Sequence, residues 1–108
     1  MTRQIIQVRK FGTVLISRPA GLEAFRAIRP TLDSSQSVVV NFEGVSSVTS
    51  GWLDEFLMNL AEYFSGRVEL LPTENASVRA MLPILAQERN DAAARPLQRA
   101  IDAMYLLP

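Results

Sequence analysis

Residues 38–64, VVVNFEGVSSVTSGWLDEFLMNLAEYF, change their hydrophobic period midway, and that change limits the folds open to the chain. Val38 to Phe42 form a short apolar, β-branched run between polar residues 33–37 and Glu43-Gly44. This is how a strand buried on both faces reads, and it predicts a central parallel strand. From Gly51 onward Leu53, Phe56, Leu57, Leu60 and Phe64 recur at the i, i+3, i+4, i+7 spacing of one helical face, predicting a helix that faces the core. At about 100° per residue, Trp52, Glu55, Asn59 and Tyr63 fall on one shoulder of that helix, with Trp52 near the rim of the core, while Asp54, Met58 and Glu62 lie on the far side. Ser50 or Gly51 is expected to cap the helix, so that Asp54 and Glu55 bring negative charge to the first turn, where the helix dipole favours it. The same geometry suits an anion or a phosphorylated hydroxyl, although capping alone also accounts for these residues.

Upstream, residues 3–10 (RQIIQVRK) and 13–18 (TVLISR) are strand-like and separated by Phe11-Gly12, which predicts an antiparallel hairpin. Pro19 suits the first turn of a helix whose apolar face is Leu22, Phe25 and Ile28, with Leu32 just beyond and Pro30 as the stop. Downstream, Ser65-Gly66 ends the organising helix, and residues 67–71 (RVELL) predict a strand closed by Pro72. Thr73 or Asn75 can cap a helix carrying Val78, Met81, Leu82 and Leu85, which Pro83 should kink or split. Asn90-Asp91 breaks the pattern, and a last helix starting near Pro96 puts Leu97, Ala100, Ile101 and Met104 on one face. The apolar residues 105–108 are expected to pack on the sheet or to join a homodimer contact. The expected fold is α/β, a single domain over Met1–Pro108: an N-terminal β-hairpin followed by α-β-α-β-α-α, with a mixed four-stranded sheet covered by helices. Ligands and partners of such sheets usually sit beyond the strand C-termini, which puts residues 43–51 and 72–75 on one edge.

Composition removes several kinds of chemistry. The chain has neither histidine nor cysteine, so a His-based hydrolase triad, a thiol nucleophile and a thiolate or histidine metal site are all excluded. Lys10 is the only lysine and no base accompanies the serines. Asp54 and Glu55 are adjacent on a helix, point about 100° apart, and cannot face each other as a carboxylate pair. No enzyme activity and no cofactor are expected. Residues 1–10 interleave charge with aliphatic residues and no later run is long enough to span a bilayer, so neither a signal peptide nor a membrane segment is expected and the chain reads as cytoplasmic.

The formal net charge is zero, but the charges are sorted along the sequence. Residues 1–29 carry six basic side chains against Glu23 alone, whereas residues 30–66 carry five acidic side chains and no basic one. Either the basic third folds beside the acidic helix and pairs with it, or a basic partner docks there. A neutral sum leaves no nucleic-acid footprint.

Phe11-Gly12, Leu15-Ile16-Ser17-Arg18 and Gly21, then Val38-Val39-Val40-Asn41-Phe42-Glu43-Gly44-Val45, Val48-Thr49 and Asp54-Glu55, and finally Asn75, resemble the STAS-like domain family of unknown function. That family is a bacterial and phage-associated relative of the domain named for sulfate transporters and anti-sigma-factor antagonists. The similarity runs from about Ile5 to Met81. It implies an α/β sandwich and a regulatory, signalling role, because anti-sigma-factor antagonists act by partner switching. In them an ATP-binding kinase partner phosphorylates a serine at the start of the corresponding helix, and the added charge breaks the complex. Alignment through Val45, Val48 and Leu53 puts Gly51 at the phosphorylated position and Thr49 where the antagonists have Asp. STAS-like relatives often carry Asp at position 41 and an aromatic at 52; here these are Asn41 and Trp52. The switch cannot operate at Gly51, which leaves Ser50, Thr49 or Ser47, with Ser50 as the candidate phosphorylation site.

Residues and resemblance together lead to the expectation of a non-catalytic protein–protein interaction module. Its surface would comprise Ser47, Thr49, Ser50, Gly51, Trp52, Asp54, Glu55 and Asn59. Trp is a residue that anchors interfaces, and acidic neighbours select a basic partner. The resemblance implies an ATP-binding kinase-like or anti-sigma-type regulator as that partner, met by a monomer or homodimer. The alternative is a small-ligand or nucleotide-binding domain, with backbone N–H groups of residues 51–53 as an anion cradle and Arg18 as counter-charge, although no glycine-rich phosphate loop is present.

Overall fold

The computed structural model describes the backbone of residues 4–87 and 94–105. Strands and helices follow as β1 (Gln4–Gln7), β2 (Val14–Leu15), α1 (Arg18–Ile28), β3 (Val38–Asn41), β4 (Ser47–Val48), α2 (Ser50–Tyr63), β5 (Val68–Leu70), α3 (Ala76–Gln87) and α4 (Ala94–Tyr105). Short 3-10 turns lie at Val8–Phe11 and Arg29–Thr31.

The apolar run becomes the middle strand of a three-stranded parallel sheet ordered β1-β3-β5. Val38, Val39 and Val40 are all buried, as expected of a strand paired on both edges. Ile6, Val40 and Leu70 share one row of the sheet, and Ile5, Val39 and Glu69 the next. The first row, with Val38 and Val68, joins a core cluster to which all four helices contribute. The second row lies on the opposite face, outside that cluster, and ends in exposed Ile5 and Glu69. The outer edge of β5 is closed by α4, where Arg99 Nη2 donates to the carbonyls of Gly66 (3.2 Å) and Val68 (2.9 Å).

The predicted antiparallel hairpin does not form, and the sheet is not a mixed four-stranded one. β1 runs parallel to β3, while β2 pairs, also in parallel, with β4, a two-residue strand between β3 and α2 where the sequence predicts no strand. The reason lies at residues 8–12. Val8 is drawn fully into the core, the chain coils into a 3-10 turn, and Gly12 leaves it at φ 131°, ψ 170°. That backbone belongs to neither of the two-residue turns that reverse a hairpin. Parallel pairing then demands crossovers, which α1 and α2 provide.

In α2 all five residues of the predicted face, Leu53, Phe56, Leu57, Leu60 and Phe64, are buried, each side chain stabilising the fold by about 1.5–3 kcal/mol. The helix stops at Ser65-Gly66 through a paired motif: Ser65 N–H donates to Glu62 O (3.2 Å), Gly66 N–H to Ala61 O (2.8 Å), and Ser65 is left-handed at φ 52°. Helix α1 crosses the start of α2 so closely that a Cβ on Gly21 would overlap the Trp52 carbonyl. Asn75 caps α3, its Oδ1 accepting from Val78 N–H at 3.0 Å. Pro83 does not split α3, which stays helical from Ala76 to Gln87. Helix α4 starts at Ala94, ahead of Pro96, and buries Leu97 and Ala100 with Ile101 partly covered. Asn90-Asp91, residues 106–108 and the side chains of Met104 and Tyr105 lie outside the described residues. Among the described residues no helix is long and apolar enough to cross a membrane.

Candidate functional site

Strands β2 and β4 lie side by side and each runs directly into a helix, so α1 and α2 begin next to each other. Thr49 N–H donates to Leu15 O at 2.9 Å, continuing the ladder to the last residue before α2. Ser17 caps α1, its Oγ accepting from Ala20 N–H at 3.3 Å. Thr49 caps α2, its Oγ1 accepting from Trp52 N–H at 3.5 Å, and the same oxygen accepts from Ser17 N–H at 3.3 Å. One hydroxyl thus joins both helix starts. The cap is therefore Thr49 rather than Ser50 or Gly51, because Thr49 holds the extended backbone of a cap (φ −85°, ψ 156°) whereas Ser50 is already helical. This shift puts Asp54 and Glu55 beyond the first turn of α2.

The charges sorted along the sequence meet here. Arg18 Nη1 lies 2.8 Å from Asp54 Oδ2 and 3.1 Å from Glu55 Oε2, bridging the first residue of α1 to two adjacent carboxylates of α2. The hydrogen bond to Asp54 first, and that to Glu55 second, push the Arg18 pKa above its usual value. The Arg18 side chain is 54% exposed, so solvent screens the pairs and each contributes at most about 1 kcal/mol. Of the two expectations for the acidic helix, internal pairing is the one realised at Asp54 and Glu55.

Among the other predicted site residues, Ser47 is half-buried in β4 opposite Val14, and Asn59 turns back on its own helix, donating from Nδ2 to Glu55 O at 2.8 Å. Ser50 is exposed. Gly51 is half-buried, and a Cβ there would lie 3.5 Å from Arg18 N and 3.6 Å from Arg18 Cβ, which is ordinary contact. Trp52 is not at the rim: it is 1% exposed, stacked on Phe56 with ring centroids 4.9 Å apart and flanked by Phe11 at 6.2 Å. The crossing at Gly21 closes over its backbone. Ser46, Thr49 and Ser50 face water here, beside exposed Ser17 and Arg18 at the start of α1.

The strand ends do converge as expected, but beside this ridge. Residues 41–45 and 72–75 line a cavity of about 330 Å³. Asn75 ties its two loops, donating from Nδ2 to the carbonyls of Val45 and Ser46. Asn41 spans β1 and the loop after β3, donating to Gln7 Oε1 (3.0 Å) and accepting from Glu43 N–H (3.1 Å). The tie made by Asn75 escaped sequence reasoning, which saw a helix cap and a residue of the family resemblance there but no link between the loops. Among the described residues no three acidic side chains gather to hold a cation, and no buried side-chain nitrogen or oxygen lacks a partner.

Comparison of the chain with protein-family models, with curated proteins and with solved structures found no match. The similarity to the STAS-like family therefore rests on its motif residues alone.

Proposed function

We propose that this chain is a non-catalytic regulatory interaction module that receives a protein partner on the ridge of Ser46, Thr49 and Ser50. One observation supports this reading above others: Arg18 bridges Asp54 and Glu55 while Thr49 joins the two caps, so both helix starts are held in one arrangement and present hydroxyls to water. A preorganised polar ridge with no nucleophile–base pair is suited to recognition rather than turnover. The resemblance to anti-sigma-factor antagonists points the same way, and the partner class we carry over from it is an ATP-binding kinase-like or anti-sigma-type regulator.

Gly51 bears on how such binding is controlled. A Cβ has room there, so the fold does not require glycine, and the hydroxyl missing from this position is a difference in chemistry. Phosphate control, where it operates, falls to Ser50, an exposed hydroxyl at the positive end of the α2 dipole. A nucleotide or phosphate ligand is the weaker reading, because Arg18 is already paired with two carboxylates that would repel it.

A photo-cross-linking amino acid at residue 50, with one at Arg26 on the exposed side of α1 as control, tests the ridge in extract of the source cells. The expected result is one protein adduct from residue 50 and none from residue 26, competed by unlabelled wild type but not by Ser50→Arg. Equal adducts from both positions, or undiminished competition by Ser50→Arg, would overturn the reading.

A further inference from the structure

A second surface lies on the other side of β2, and its features do not depend on which partner the α2 ridge takes. Among the described residues β2 has a strand neighbour on one edge only. The carbonyls of Thr13 and Leu15 accept from residues 46–49, so they point toward β4. Backbone groups alternate in direction along a strand, and those of Val14 and Ile16 therefore point to the open edge. The side chains of Val14 and Ile16 are 58% and 59% exposed, unusual for β-branched residues beside a core. Alongside lies a groove of about 420 Å³ lined by Phe11, Leu15, Trp52 and, from α1, Ala20 and Ala24. Among the described residues Glu23 is the only charged side chain lining it, is exposed, and has no ion-pair partner.

An open strand edge beside a helix, with apolar pockets between them, is the arrangement that accepts an extended peptide as an added strand. We propose that the groove between β2 and α1 binds an extended peptide segment that pairs with Val14 and Ile16, sets alternate apolar side chains into the groove, and meets Glu23 with an arginine or lysine. Charge selects this occupant over a second copy of the chain. In a two-fold β2–β2 contact the incoming segment would be residues 13–18, TVLISR, whose one basic residue, Arg18, is already held by Asp54 and Glu55 of its own chain. An unpaired edge and an unmatched carboxylate are both satisfied by a basic–apolar strand.

The probe is a set of acetylated octapeptides alternating Val with Thr, each carrying one Arg at a different position, and a matched set carrying Glu instead. Binding to the full chain is read from the fluorescence of Trp52, the only tryptophan, and from the backbone amide resonances of Val14 and Ile16. At least one Arg peptide should shift both amides, and its Glu counterpart should bind about tenfold more weakly. Glu23→Arg, an exposed change, should invert that preference while leaving the cross-link from residue 50 intact. Silence of both amides across the Arg set overturns the proposal, as does a preference that Glu23→Arg leaves unchanged. Amide shifts that grow with protein concentration in the absence of peptide would also overturn it, by assigning the edge to self-association.

Discussion

The two points at which a strand passes into a helix do the same task with different backbones. Thr49 enters α2 in relaxed extended geometry, at φ −85° and ψ 156°. Ser17 enters α1 at φ 78° and ψ 144°, a left-handed φ that a residue with a Cβ rarely takes and that costs about 1–3 kcal/mol. The relaxed junction supports the strained one. Thr49 Oγ1 accepts from Ser17 N–H as well as from its own helix, whereas Ser17 Oγ serves only α1. Arg18, the next residue, then reaches across to α2 for its partners. The dependence runs one way: α1 is held in place by α2.

The largest test of that asymmetry is Thr49→Val, which keeps the shape and removes the acceptor used by both junctions. It should lower unfolding free energy by about 2 kcal/mol in urea denaturation, the upper part of the range for a lost cap. A loss no greater than that of Ser17→Ala would make the two caps independent. Next, Ser17→Gly and Ser17→Ala should move in opposite directions. Glycine relieves the φ and costs little as a cap, for a net gain of about 1 kcal/mol, while alanine keeps the strain and loses the cap, for a loss of about 1 kcal/mol. Destabilisation by glycine would mean that Ser17 is not strained.

Smaller still is the charge bridge. A double-mutant cycle between Arg18→Ala and Asp54→Ala should give a coupling below about 1 kcal/mol that fades with added salt. The Arg18 pKa is raised in the folded chain, so its contribution is fully present below the unfolded value and is lost only as pH rises through the still higher folded value. From about pH 6 to 9 the effect of Arg18→Ala on melting temperature should therefore stay flat on account of Arg18 itself. Least of all, Gly51→Ser should change stability by only a few tenths of a kcal/mol, because its Cβ meets Arg18 at ordinary contact. A large loss there would make glycine a requirement of the α1–α2 junction.

Legibility in the sequence followed the kind of force involved. The valine run and the face of α2 were readable because burial imposes a period on the chain, and all of those residues are buried. The stop at Ser65-Gly66 was readable because left-handed geometry selects few residue types. Pairing partners were not. Arg3 to Arg18 contains two strand-like runs, yet nothing in those residues says that Val8 would be pulled inward and the reversal lost. β4 escaped notice because a two-residue strand has no period. At the site, Ser50 or Gly51 is the cap the sequence predicts, and the choice of Thr49 instead depends on where Leu15 fixes the backbone. Trp52 read as a rim residue because a helical wheel knows nothing of tertiary neighbours; Phe11, from the turn after β1, packs on its ring, and α1 at Gly21 crosses over its backbone.

The guanidinium of Arg99 has a consequence during synthesis. The carbonyls it covers, Gly66 just ahead of β5 and Val68 within it, lie 33 and 31 residues earlier in the chain. At elongation rates of about 5–20 residues per second, that edge emerges some seconds before its cover is made. During that interval the nascent sheet carries an unguarded strand, open to pairing with another nascent chain on the same message. Translation speed through codons 70–99 therefore sets how long the edge stays sticky, and slowing codons there should raise insoluble yield without altering the folded chain.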